Sequence, residues 1–121
     1  MPEKRRILVA DDEDSYREIL SSQLTLAGYE VVLAADGDEA VSSLKQKKFD
    51  LALLDIRMPK QDGIQVLKFI SQNCPATRSI MLTGFADLEL AMEAKELGAV
   101  DFIDKPFSLD DILSSIRQAI A

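Results

Sequence analysis

An α/β fold, a doubly wound parallel sheet of five strands, is predicted by three features of this chain. Five short apolar runs are separated by segments of helical spacing, three of those runs are apolar throughout, and turn or cap residues stand at the junctions. The runs are Arg6 to Ala10, Glu30 to Ala34, Leu51 to Leu54, Ser79 to Leu82 and Val100 to Ile103. The first, third and fourth lack a polar face, which calls for helices on both sides of the sheet. Tyr16, Ile19, Leu20, Leu24 and Ala27 follow the helical period after the first run, and Ile64, Leu67, Lys68 and Ile70 follow it after the third. Asp14 or Ser15 is placed to cap the first helix and Ser108 the last, while Gly28 and Gly98 fall where the first and fourth should stop. Right-handed crossovers between successive strands then give the doubly wound arrangement.

At 121 residues the chain has the size of one domain, and 47% hydrophobic and 29% charged residues are ordinary globular usage. Without a Gly/Ser-rich or Pro-rich divider, residues 1–121 read as a single unit. A net charge of -7 argues against direct contact with nucleic acid, which needs clustered Lys and Arg. The apolar stretch Ile7 to Ala10 meets Asp11 too soon for a signal peptide core or a membrane span. The lone Cys74 has no internal disulfide partner, which is compatible with a cytoplasmic location. Cys74, Met58, Met81 and Met92 read as packing residues without a chemical role.

In a doubly wound sheet, the loops at the carboxyl ends of the strands share one edge, and ligands bind there. The first strand ends in Asp11-Asp12, the third in Asp55, the fourth in Thr83-Gly84 and the fifth in Asp104-Lys105-Pro106. Asp55 follows a purely apolar run and precedes Arg57-Met58-Pro59 and Asp62-Gly63, so it is expected at the surface on a rigid support, as the reactive group. Three gathered carboxylates repel one another and call for a cation. With all-oxygen ligands and no histidine, hard Mg2+ fits better than zinc or copper. Lys105 and Thr83 then complete a site suited to a phosphoryl group on Asp55.

Over essentially its whole length the sequence resembles a receiver domain of a two-component response regulator, in the CheY-like superfamily. The resemblance rests on Asp11-Asp12, Asp55, Thr83, Phe102 and Lys105-Pro106. It implies a flavodoxin-like (βα)5 fold with strand order 2-1-3-4-5, and Asp55 as phosphoacceptor. It further implies Mg2+ held by Asp12 and Asp55, by Asp11 largely through water, and by the backbone carbonyl of Arg57. Thr83 would move toward the phosphoryl group, Lys105 would be its cationic partner, Phe102 the switch aromatic, and the Lys105-Pro106 bond a cis peptide. The phosphodonor would be the phosphohistidine of a histidine kinase, and since this chain has no histidine the donor is a separate protein or a small molecule. The chain would catalyse only its own phosphorylation and dephosphorylation, and is not otherwise an enzyme. Thr83 moving inward would let Phe102 turn from an exposed to a buried position and reshape the surface of helix four, strand five and helix five.

Each residue alone has a plainer reading. Asp11 to Asp14 would be an acidic helix start, Asp55 and Thr83 turn residues, Lys105 a solvated charge and Phe102 half-buried strand packing. Their convergence on four strand ends of one sheet favours the joint site. A flavin mononucleotide module would need a Ser, Thr and Gly-rich loop where Asp11-Asp12-Glu13-Asp14 stands. An aspartate-nucleophile phosphatase would need a carboxylate where Arg57 stands. A receiver-like interaction module that is never phosphorylated remains as the alternative.

Bulky Arg57 and Phe85 are expected to shield the acyl phosphate from water. Asp87, Glu89, Glu93, Lys95, Glu96, Asp110, Asp111 and Arg117 give the face of helices four and five both signs of charge, which predicts a phosphorylation-enhanced homodimer. No output segment follows Ala121 in this sequence, so the output is expected to be a downstream target protein, or an effector domain if the chain is one piece of a longer regulator.

Overall fold

The computed structural model of the chain describes residues 4–84 and 88–120. Among these, the strands β1 (Arg6–Ala10), β2 (Glu30–Ala34), β3 (Leu51–Asp55), β4 (Arg78–Thr83) and β5 (Asp101–Asp104) alternate with the helices α1 (Asp14–Leu26), α2 (Gly37–Gln46), α3 (Gly63–Asn73), α4 (Leu88–Glu96) and α5 (Leu109–Ile120). All neighbouring strands pair in parallel, in the order β2-β1-β3-β4-β5. The expected strand order therefore holds. The fifth strand begins one residue later than its apolar run and extends to Asp104, although the Val100 amide already donates to the Ser79 carbonyl at 2.8 Å.

Alternation along buried strands sends successive side chains to opposite faces and builds two cores. Leu8, Ala10, Ala52, Leu54 and Met81 pack beneath α2, α3 and α4, together with Val66, Leu67 and Ile70. Ile7, Val9, Leu51, Leu53, Ile80 and Leu82 meet Leu20 and Leu24 of α1 and Ile112 and Ile116 of α5. Each fully buried Leu, Ile or Val contributes roughly 1.5–3 kcal/mol by leaving water. β3 lies between β1 and β4 and is covered on both faces, so it is the most enclosed support for a side chain at its end.

The helix ends carry local signals, with two corrections to the expected ones. Asp36 caps α2 by accepting the Glu39 amide, Asp62 and Gln65 form a reciprocal capping box on α3, and Ser108 Oγ accepts the Asp111 amide at 3.1 Å. α1, by contrast, is capped by neither Asp14 nor Ser15. The helix starts at Asp14, its N-cap is Glu13 without a side-chain cap bond, and the Asp14 carboxylate pairs with Arg17 one turn on. Gly28 and Gly98 have φ of +99° and +104°, the left-handed conformation that stops a helix. Ile19 is 47% exposed and Lys68 reaches Glu93 at 3.8 Å, so neither belongs to the packed face that its spacing predicts. Phe85 and Asp87 lie outside the described residues.

Candidate functional site

The strand ends are turned into a site by short local bonds. Asp11 Oδ1 accepts the Glu13 amide at 2.9 Å, which bends the chain directly after β1, and Arg17 donates to the Asp11 carbonyl at 2.6 Å. After β3, the Ile56 amide donates to the Leu82 carbonyl at 3.1 Å, so the strand's pairing continues one residue past Asp55. The Gly63 amide then donates to the Ile56 carbonyl at 2.8 Å, drawing the start of α3 against the strand. A Cβ on Gly63 would lie 2.3 Å from the Asp55 carbonyl oxygen and 2.8 Å from Ile56 Cα. Only glycine permits that approach.

Asp11, Asp12 and Asp55 each place a carboxylate oxygen within 4.8 Å of the others. Asp11 is fully buried and Asp12 lies exposed at the mouth. Asp55 was expected at the surface, but it is only 6% exposed, because the start of α3 and the ends of the neighbouring strands close around it. Asp55 Oδ1 accepts the Arg57 amide at 3.2 Å, which places the Arg57 backbone beside the carboxylates. Beside this cluster opens a cavity of about 490 Å³ lined by Asp12, Arg57, Met58, Asp62 and Leu90 among others.

Lys105 is the cation facing the buried pair. Its Nζ stands 2.8 Å from Asp11 Oδ2 and 3.2 Å from Asp55 Oδ2, with Glu13 Oε1 at 3.7 Å. The ammonium also lies 4.4 Å from the centroid of the Tyr16 ring, which in turn packs on Phe107 at 5.0 Å. The Lys105-Pro106 peptide is cis. Burial and the neighbouring Asp11 charge push the Asp55 carboxyl up to about 7, against the opposing pull of Lys105. Burial alone would lower the Lys105 ammonium, but Asp11 and Asp55 outweigh it and hold its pKa above the ordinary lysine value.

Thr83 and Phe102 occupy the adjoining strands. Thr83 is 4% exposed, and its hydroxyl donates to Asp104 Oδ1 at 2.9 Å instead of entering the carboxylate cluster. Phe102 is half-buried, opposite Met81 in the β4–β5 ladder, and packs against the α2–α3–α4 core. The structure thus brings Asp11, Asp12, Asp55, the Arg57 backbone and Lys105 together, and leaves Thr83 and Phe102 one step away. Sequence reasoning assigned no role to Tyr16, Glu13, Asp104 or Gly63. Tyr16 carried only a helix-face signal, and the pairing of Asp104 with Thr83 depends on strand register.

The donor set suits a divalent cation. The contributed atoms are hard oxygens, and buried Asp11 Oδ2 has no aligned hydrogen-bond donor although Lys105 Nζ stands 2.8 Å away. Among the described residues, no helix is long and apolar enough to cross a membrane.

Comparison with known proteins agrees with this geometry. The response regulator receiver domain family matches residues 7–117. The transcriptional regulatory protein ZraR of Salmonella typhimurium is 40% identical over 115 residues, 95% of this chain and 26% of ZraR. The probable transcriptional regulator ycf27 of Porphyridium aerugineum is 42% identical over 118 residues, 98% of this chain and 49% of that protein. The chain thus spans about a quarter to a half of these relatives. A CheY-like response regulator receiver domain protein from Methanospirillum hungatei superposes with a TM-score of 0.94 at 32% identity, covering 98% of this chain and 94% of the other. The receiver domain of NtrX from Brucella abortus gives 0.88 at 33% identity, covering 94% and 97%. With an acidic cluster and a lysine at the carboxyl edge of a 2-1-3-4-5 sheet and a family match across nearly all of its length, the chain belongs to the receiver domains of two-component response regulators.

Proposed function

We propose that residues 1–121 act as one receiver unit that accepts a phosphoryl group on Asp55 from the phosphohistidine of a histidine kinase in the cytoplasm. The observation that carries this reading is the contact of Lys105 Nζ with both Asp11 Oδ2 and Asp55 Oδ2 beside a three-carboxylate cluster. A carboxylate oxygen of Asp55 attacks phosphorus, the P–N bond to the donor imidazole breaks, and an acyl phosphate remains. Asp11, Asp12, Asp55 and the Arg57 carbonyl would hold Mg2+. Bound there, Mg2+ would offset the charge of the carboxylates and of the incoming phosphoryl oxygens. Lys105 holds Asp55 in place and supplies positive charge to the same oxygens. The Asp55 backbone is fixed by β3 and by the close approach of Gly63, so the attacking atom needs little reorganisation.

The new group brings roughly -1.5 to -2 charges. Thr83 would answer by donating its hydroxyl to a phosphoryl oxygen, and Phe102 would turn inward behind it. The altered α4–β5–α5 surface would then engage a downstream effector domain or target protein, or a second copy of this chain. ZraR and the ycf27 protein, by their names transcriptional regulators, support an output in gene control, with DNA contact supplied outside residues 1–121.

The test is intact mass after incubation with acetyl phosphate, with and without Mg2+, for the wild type and Asp55→Asn. A Mg2+-dependent gain of one phosphoryl group confined to the wild type is expected. No gain from acetyl phosphate or from a panel of phosphorylated kinases would leave the silent interaction module as the better reading.

A further inference from the structure

Thr83 and Asp104 are register partners in the β4–β5 ladder, and the Lys105 amide donates to the Thr83 carbonyl at 2.8 Å, so the backbone holds the two side chains side by side. The Thr83 hydroxyl donates to Asp104 Oδ1 at 2.9 Å. Thr83 is buried and Asp104 exposed, so the bond runs outward from the sheet's interior to its edge. A hydroxyl has a single proton to donate. While it is given to Asp104, it is withheld from any group on Asp55.

We propose that Asp104 is a latch, a positioning residue whose carboxylate competes with the phosphoryl group for the Thr83 hydroxyl and so sets how readily this receiver switches. The proposal rests on the phosphoacceptor reading of Asp55. A carboxylate and a phosphoryl group are both strong acceptors, so the exchange trades one hydrogen bond for another. The switched state is favoured only by the difference between the two bonds. A neutral residue at position 104 would offer a weaker competitor and shift the balance toward the inward Thr83.

The latch also has a place to deliver its signal. Asp104 lines a cavity of about 410 Å³ between β5 and α5, together with Phe102, Phe107, Asp111 and Ser115. At the far end of the same strand, Ser115 of α5 donates to Asp101. Release of Asp104 therefore frees an anionic side chain in the groove where β5 meets α5. Occupancy of Asp55 is thus reported to that groove through one hydroxyl.

The test is a double-mutant cycle on Mg2+-dependent binding of beryllofluoride, a stand-in for the phosphoryl group, followed by calorimetry and by NMR of the Thr83 methyl. Asp104→Ala should tighten binding roughly threefold to tenfold, the scale of one exposed charge-assisted hydrogen bond, with Asp104→Asn in between. In a Thr83→Ala background, Asp104→Ala should change affinity by less than about twofold, because no hydroxyl remains to be contested. Equal tightening in both backgrounds would show simple charge repulsion and overturn the latch, as would unchanged or weakened binding by Asp104→Ala. Wild-type protein that binds Mg2+ but no beryllofluoride would remove the phosphoacceptor reading and the latch with it. Wild-type binding that is lost in Asp55→Asn, with a flat Asp104 cycle, would remove the latch alone.

Discussion

Lys105 Nζ lies 3.2 Å from Asp55 Oδ2, and this contact across 50 residues of sequence joins the end of the central strand to the loop after the edge strand. The same ammonium holds Asp11 Oδ2, so one cation serves two buried carboxylates that would otherwise repel each other.

Lys105→Met should separate two effects of that cation. At pH 8 without metal the variant should lose roughly 1.5–3 kcal/mol of stability, the scale of hydrogen bonds to charged groups, read from its urea midpoint. Mg2+ should bind it severalfold more tightly, because the oxygens that Lys105 now occupies become available, while phosphorylation by acetyl phosphate should slow. Parallel weakening of Mg2+ binding would contradict this account.

Asp55→Asn should stabilise the metal-free protein, and the gain should depend on pH in a defined direction. The folded Asp55 pKa of about 7 lies above the ordinary 3.8, so the folded state keeps a proton that the unfolded chain releases. The contribution of Asp55 is therefore fully present below about pH 4 and is lost as pH rises toward 7. The advantage of Asn should be near zero at pH 4 and grow to roughly 1–4 kcal/mol by pH 8, at about 1.4 kcal/mol per pKa unit. Denaturation curves at four pH values check it.

Mg2+ affinity should carry the same signature. Binding requires the ionised carboxylate, so the apparent Kd should fall by up to about tenfold per pH unit below the Asp55 pKa and flatten above it. Titration calorimetry from pH 5.5 to 8 measures the slope. A flat profile would mean that Asp55 is already ionised in the free protein.

Gly63→Ala tests how closely α3 must approach. The added methyl would meet the Asp55 carbonyl oxygen at 2.3 Å, a backbone contact that no side-chain rotation relieves. A loss of roughly 1–3 kcal/mol is expected from forced overpacking, together with a phosphorylation rate lowered by about 10–100-fold as Asp55 shifts. Wild-type rates in a variant that is merely less stable would uncouple the helix start from the reacting atom.

Apolar runs located β1 and β2 to the residue, because strands walled by helices on both sides, or ending in clear turn residues, leave unambiguous patterns. Asp11, Asp12, Asp55 and Lys105 were legible as a cluster since strand ends converge in any doubly wound sheet. The burial of Asp55 was not legible. It depends on how far α3 slides toward β3, a distance decided by the missing side chain of Gly63 and visible only once the helix is docked. Nor was the Thr83–Asp104 bond, which follows from a β4–β5 register fixed by backbone pairing. Tyr16 shows a third kind of loss, where a residue with helix-core spacing also forms the aromatic floor under Lys105.

β3 has a paired neighbour on either side, whereas β5 is a four-residue edge strand paired only with β4. Local opening should follow that gradient, with amide hydrogens of β3 exchanging near the rate of global unfolding and those of β5 far faster. The carboxylate proposed to react would then sit in the slowest-exchanging part of the molecule, and the proposed read-out surface in a part that fluctuates cheaply. A receiver arranged in this way would have room to retune its output by substitutions on α5, and on β5 away from Asp104, with the backbone that supports Asp55 left in place.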